Sequence, residues 1–249
     1  MEDDLSTDVK ESLSKALVPE NIPFLDLMAA KEALRTTNHT MSQAPGDLPA
    51  SLRKEFYQWL AEPFLSIMRR IVVTGEWPAK WKQEWGTPIP KEALPITNED
   101  QLRIISITNK MSMTAERFLL KWMWPYLKVH MDRDQFGGTA SNSVSHYLIE
   151  LTNFILYNID LSTPLTTIMT MVDFSKGFNR VHHAALINEL HSLGIPAWIL
   201  RIVKSYLSNR ELRIRYKEGI SEPASLPGGL GQGTLMGIWM FFSKYEPFQ

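Results

Sequence analysis

Residues 165–172, LTTIMTMV, constrain the fold more than any other stretch of the chain. They are β-branched or apolar throughout and carry no charge, which predicts a buried strand that delivers Asp173 at its end. Strand ends next to helices are where α/β folds mount catalytic groups. The plainer alternative is that Asp173 caps the helix that follows. Phe174-Ser-Lys-Gly-Phe178 comes directly after it.

What surrounds this segment narrows the function classes. The chain has 249 residues, 44% hydrophobic and 21% charged, which excludes collagen-like, disordered and disulfide-scaffold classes. Lys and Arg total 26 against 27 Asp and Glu, a net charge of -1. Global basicity therefore cannot hold a nucleic acid, and any polyanion site must be a local patch. The absence of cysteine excludes disulfides, thiolate zinc sites and cysteine nucleophiles. The opening MEDDLSTDVKE is acidic and has no apolar centre, unlike a signal or transit peptide. No run approaches the 18 or so apolar residues of a membrane span. The expected setting is intracellular and away from membranes, with nucleus and cytoplasm not distinguished.

Residues 1–21 read as an acidic, flexible start. Helical spacing predicts helices over 21–37, 52–73, 110–129, 144–158, 181–193 and 196–207, with Pro63 kinking or splitting the second and Gly75 stopping it. A turn-rich break covers 43–49. Extended pieces are expected over 87–90, closing on Lys91, and over 100–107. In 212–216, Arg213 and Arg215 alternate with apolar residues, and 217–219 turns this strand into a hairpin. Those two arginines suit either nucleic-acid phosphates or a solvated face.

Beside Asp173, two other features could carry chemistry. Gly228-Gly-Leu-Gly-Gln-Gly-Thr-Leu-Met-Gly237 permits a backbone that approaches a ligand closely. Lys91 and Arg103, on short extended segments, suit a triphosphate or a nucleic-acid backbone.

Their order along the chain is more informative than any one of them. Lys91, Arg103 in Leu-Arg-Ile-Ile-Ser106, Gln135-Phe-Gly137, Asp173-Phe-Ser-Lys-Gly-Phe178 and Gly231-Gln-Gly-Thr234 together resemble the reverse transcriptase family. The resemblance is closest to the non-LTR (LINE-like) retrotransposon branch, and it covers roughly residues 24–242. Connecting text resembles the family too, in Ala44-Pro-Gly-Asp-Leu-Pro49, Gly75-Glu-Trp-Pro-Ala-Lys-Trp81 and Leu193-Gly-Ile-Pro-Ala-Trp198.

The resemblance implies an α+β fold of right-hand polymerase type. It would comprise helix-rich fingers over 22–145 and a partial palm over 146–242 with an incomplete antiparallel sheet. No thumb is expected, and 243–249 is a tail unlike the family. The implied activity is RNA-directed DNA synthesis: transfer of a nucleotide from a dNTP to a primer 3′-OH on an RNA template, with two Mg2+ ions. Asp173 matches the catalytic, Mg2+-binding aspartate, and the Phe174 carbonyl matches a second ligand. Lys91, Arg103, Phe178 and Gln232 match dNTP-binding residues, Phe178 by excluding a ribose 2′-hydroxyl. On spacing alone Phe178 reads as a core phenylalanine. Gly231 and Gly233 match the loop beneath the nucleotide and template base.

The chain also departs from the family. No Tyr/Phe-Ala-Asp-Asp segment follows Asp173, and the other Asp-Asp pair is Asp3-Asp4. Asn179 stands where many relatives are acidic, and Gly231 where proline is usual. The chain alone is expected not to work as a polymerase, with self-association through an open palm edge. The alternative is a non-catalytic retroelement remnant or a domesticated nucleic-acid-binding fragment. An RNA-dependent RNA polymerase fits Phe178 and Asn179 less well.

Overall fold

The computed structural model describes residues 4–36, 44, 46–91, 101–132, 134–137, 142–163, 165–172, 177–231 and 234–245. Its hub is α8 (Ala197–Leu207), which buries Trp198, Ile199, Leu200, Ile202 and Val203 and has Tyr206 and Leu207 buried at its end. A helix apolar on that many sides can only sit inside. Around it pack α1 (Thr7–Ser14), α4 (Tyr57–Thr74), α5 (Lys110–Leu127) and α7 (His183–Ser192). On α4 in turn lie α2 (Leu27–Arg35) and the short α3 (Ala50–Glu55). Ring contacts stitch these elements together: Phe64 of α4 meets Phe118 of α5 at 5.8 Å, and Trp122 of α5 meets Trp198 of α8 at 5.3 Å.

Local chemistry sets the ends. Asn109 caps α5 by accepting from the Met111 and Ser112 amides, and Asp47 accepts from the Lys110 amide, so the Pro-Gly-Asp break is tied to that helix start. Gly75 ends α4 in the left-handed conformation, φ 72°. The single helix expected over 52–73 divides at Phe56, not at Pro63. Pro63 is tolerated inside α4 because the carbonyl it leaves unbonded belongs to exposed Trp59, within reach of water. Within the acidic start, Thr7–Ser14 forms α1, a helix the sequence reading does not include. Ser6 caps it, and Leu5 and Val9 are buried in the core. So few apolar anchors leave too little periodicity to read.

The sheet is mixed, where an antiparallel one was expected. Its strands are β1 (Gln83–Pro90), β2 (Leu102–Ile107), β3 (Arg210–Tyr216), β4 (Gly219–Ile220) and β5 (Ala224–Leu226). β1 lies between β2, antiparallel, and β3, parallel, and β3 pairs antiparallel with β4 and β5. At the centre Gly86 is forced by packing: a Cβ there would lie 2.8 Å from both Ile104 Cγ2 and Ile214 Cδ1. Gly86→Val should destabilise the chain by about 1–3 kcal/mol through overpacking, read as a lower urea midpoint. An unchanged midpoint would mean the sheet is looser than it looks.

Residues 165–172 form no strand, against expectation. Ile168 and Met171 are 85% and 84% exposed. A strand exists only by pairing, and the strands among the described residues come from 83–107 and 210–226, with none alongside this segment. The preceding helix α6 (Val144–Ile159) forms at the limits its spacing predicts, yet it buries none of its residues. Leu165 N–H bonds back to the Asn158 carbonyl at 3.0 Å, turning the chain over at its end. No helix among the described residues is long and apolar enough to cross a membrane.

Candidate nucleotide site

Two motifs far apart in sequence are joined backbone to backbone. The single-turn 3-10 helix Gly177–Arg180 carries Phe178, whose carbonyl accepts from Leu230 N–H at 2.8 Å. The Val181 carbonyl accepts from Gly229 N–H at 2.9 Å. His183, at the start of α7, places Nε2 2.7 Å from the Gly229 carbonyl, so the neutral ring donates from Nε2. Gly229 is left-handed, φ 81°, and a Cβ on it would come within 3.0 Å of the Asn179 carbonyl oxygen. Only glycine allows this approach.

Beyond the glycines comes α9 (Leu235–Tyr245), which the sequence does not announce. Thr234 starts it: its hydroxyl donates to the Gly231 carbonyl and accepts from Gly237 N–H, both at 3.0 Å. The Phe178 ring stacks on Phe241 of α9, 4.4 Å between centroids and 13° from parallel. Phe178 is half-buried there against the core. Asp173, Phe174, Gln232 and Gly233 lie outside the described residues.

Beneath the glycine loop lies a buried ionic network that sequence reading does not single out. Glu84, at the start of β1, accepts from the Arg210 guanidinium at the start of β3, the Nε bond measuring 2.7 Å; Arg210 Nη2 bonds to the same oxygen. Arg210 also donates to the Tyr206 carbonyl at 3.1 Å and stacks over the Tyr206 ring. Burial works against the guanidinium charge, but Tyr206, Glu84 and Glu116 outweigh it and hold its pKa above the ordinary value. Glu84 Oε2 is buried and has no hydrogen-bond partner among the described residues; it lies 3.4 Å from where a Cβ on Gly231 would sit.

Glu116 of α5 reaches the loop from the other side. Its Oε2 accepts from Leu235 and Met236 N–H at 3.0 and 3.2 Å, two of the amides that a helix start leaves unbonded. Burial pushes its carboxyl up to about 7, against those two bonds and the attraction of Arg210. Burial moves His183 the other way, below its ordinary value. Glu116 had a readable signal: it falls in register with Ser112, Leu119 and Met123, all buried on one side of α5. Glu84 and Arg210 had none, since each reads alone as a strand-end charge.

Lys91 and Arg103 are brought together. Lys91 N–H bonds to the Gln101 carbonyl at 2.8 Å, continuing the β1–β2 ladder in which Ile89 faces Arg103. This register puts Lys91 and Arg103 on one face as diagonal neighbours, about 7–8 Å apart at the backbone. Both are exposed. Gly231 lies over Glu84 at the other end of β1, roughly 23 Å away at 3.3 Å per residue. Arg213 of β3 is half-buried and Arg215 exposed, and Gln135 Nε2 closes its own turn onto the Gly137 carbonyl at 2.8 Å. Among the described residues no group of three His, Asp or Glu side chains could hold a metal ion.

Comparison with known proteins places the sequence of the chain in a family. The sequence model of the family "Reverse transcriptase (RNA-dependent DNA polymerase)" matches residues 89–237, from the end of β1 into α9. In Drosophila melanogaster, the "Probable RNA-directed DNA polymerase from transposon BS" is 26% identical over 166 residues, 66% of this chain and 18% of the relative. The "Probable RNA-directed DNA polymerase from transposon X-element" is 23% identical over 223 residues, 88% of this chain and 24% of the relative. The "RNA-directed DNA polymerase from mobile element jockey" is 23% identical over 177 residues, 70% of this chain and 19% of the relative. The chain thus spans about a fifth of the length of these relatives. With more than half of its residues matched and the matched motifs hydrogen-bonded to one another, the chain belongs to the reverse transcriptase family.

Proposed function

We propose that this chain is the nucleotide-arranging portion of an RNA-directed DNA polymerase from a non-LTR (LINE-like) retroelement. Its substrates are a dNTP, a DNA primer 3′-OH and an RNA template, and its metal is Mg2+. The observation that supports this best is the joining of Gly229 and Leu230 to Val181 and Phe178, because it sets the glycine loop against the segment that follows Asp173. In this reading Asp173 and the Phe174 carbonyl hold Mg2+, which supplies charge neutralisation at the phosphoryl oxygens. Lys91 and Arg103 form a paired cationic face for the triphosphate. Phe178, held by its stack on Phe241, excludes a 2′-hydroxyl, and Gln232 between Gly231 and Gly233 lies against the nucleotide.

A second reading, a nucleic-acid-binding fragment without catalysis, is favoured by the lack of a carboxylate cluster among the described residues. Primer extension on poly(rA)/oligo(dT) with dTTP and Mg2+, beside Asp173→Ala, separates the two. For the polymerase the expected result is extension that the substitution abolishes. Silence from a chain that is folded by circular dichroism and still binds primer–template overturns it in favour of the second reading.

A further inference from the structure

A groove of about 1160 Å3 opens where α1, the end of α4, the turn before β1 and the end of α8 meet. It exceeds the roughly 300–1,000 Å3 of a drug-sized pocket. Six cations line it, Lys10, Arg70, Lys80, Lys82, Arg201 and Lys204, against one carboxylate, Glu76. In a chain whose net charge is -1, this is a strong local concentration of positive charge. Lys91, Arg103, the 177–181 turn and the glycine loop take no part in it; its lining includes Gly75–Trp81, the connecting stretch that resembles the family.

Its cations are placed by the fold. Arg201 Nη2 donates to the Thr74 carbonyl at 2.8 Å, where the end of α4 exposes unbonded carbonyls. Gly75 leaves the room for it: a Cβ there would lie 3.0 Å from Arg201 Nε. Lys82 is buried, and Ser205 Oγ, at 3.4 Å, is its hydrogen-bond partner among the described residues. Burial, then repulsion from Arg210, lowers its pKa, and Glu76 only partly offsets them, so an anion in the groove would relieve a real cost. Arg70 and Lys80 are exposed at the rim, and among the described residues no carboxylate pairs with either.

The groove offers charge without a stacking platform. Trp77 and Trp81 line it, but both are buried, packed edge-on to each other at 5.8 Å. Base recognition needs an exposed ring face or base-edge partners, whereas phosphate recognition needs only fixed cations. Lys82 and Lys91 stand at opposite ends of β1, so a strand in this groove lies roughly 25 Å or more from the Lys91–Arg103 face.

We propose that this groove binds the phosphodiester backbone of a nucleic-acid strand, independently of its sequence and apart from the nucleotide site. The proposal does not depend on the chain being catalytic. Fluorescence anisotropy of labelled 15-nucleotide strands tests it with the full 249-residue chain, using two unrelated RNA sequences and their DNA counterparts at two salt concentrations. Arg70→Glu with Lys80→Glu is the variant; the same charge change at Lys54 and Lys128, exposed and outside the groove, is the control. All four are surface positions, and unchanged melting curves confirm folding. The expected result is at least tenfold weaker binding for the groove variant and a salt dependence shallower by about 1.4 in log–log slope, at roughly 0.7 per lost single-strand contact. The control should keep most of its affinity, and the two sequences should bind alike. Equal losses in variant and control, no loss in either, or affinity that follows sequence would each overturn the proposal. So would transfer of the effect to anionic phospholipid vesicles with oligonucleotide binding intact. Primer extension reads the Asp173 site separately, so failure of one proposal is not mistaken for failure of the other.

Discussion

Arg210→Met is expected to cost about 3–5 kcal/mol of stability, because it leaves the Glu84 carboxylate buried and unpaired. For a chain of this size each kcal/mol lowers the melting temperature by roughly 2–4 °C, so the loss is large and easily read. The position of the pair explains why nothing compensates. Glu84 is the second residue of β1 and Arg210 the first of β3, in strands that run parallel with Glu84 opposite Leu212. Both side chains are enclosed by the sheet, α8 and the glycine loop, so water cannot take over the lost bonds. Changing both, Glu84→Leu with Arg210→Met, should recover most of the loss, since an ion pair in such a place can be replaced by apolar groups of similar size. Urea unfolding of the wild-type, both single variants and the double closes the cycle. Additive losses, or an Arg210→Met chain within 1 kcal/mol of wild-type, would show that the pair is solvated and not a strut beneath the loop.

How much of this was legible in the sequence depends on what each signal encodes. Periodicity with a good stop is local information, so α7 and α8 are readable almost to the residue: Gly194, at φ 78°, ends one and Pro196 introduces the other. The two extended pieces that carry Lys91 and Arg103 were readable as well, but not their antiparallel pairing, which sets the two cations side by side. The 165–172 segment shows the limit. Its composition says that it would gain by being paired and covered, but composition does not say which strand covers it, and none among the described residues does. The glycine run was visible as permissive backbone, yet its purpose is set by a non-local partner, the 178–181 turn. Charge is hardest to read. Glu116 betrayed itself by sitting on an apolar face, whereas Lys82, at a position that reads as surface, is buried beside a groove formed by distant helices.

Glu116→Gln should make the chain more stable above neutral pH and leave it nearly unchanged in acid. The Glu116 carboxyl titrates near 7 when folded and near 4.5 when unfolded. Between those values the folded chain keeps a proton that the unfolded chain has released, so stability falls as pH rises through the window. A shift from 4.5 to about 7 corresponds to roughly 3 kcal/mol by pH 8. Gln keeps a carbonyl oxygen for the Leu235 and Met236 amides but has no charge to bury. The groups that act on this carboxyl are known: Arg210 favours its ionisation and Glu84 opposes it, and Tyr206 feels its charge. His183 titrates with the opposite sign, since its lowered pKa removes stability as pH falls below about 6.5, and it is present in both chains and cancels. At pH 8 the Gln variant should melt roughly 6–12 °C above wild-type, and the two should converge towards pH 5. Melting curves that stay parallel from pH 5 to 8 would mean that Glu116 is already ionised in the fold. The start of α9, and with it the glycine loop, would then be held by a carboxylate with access to solvent.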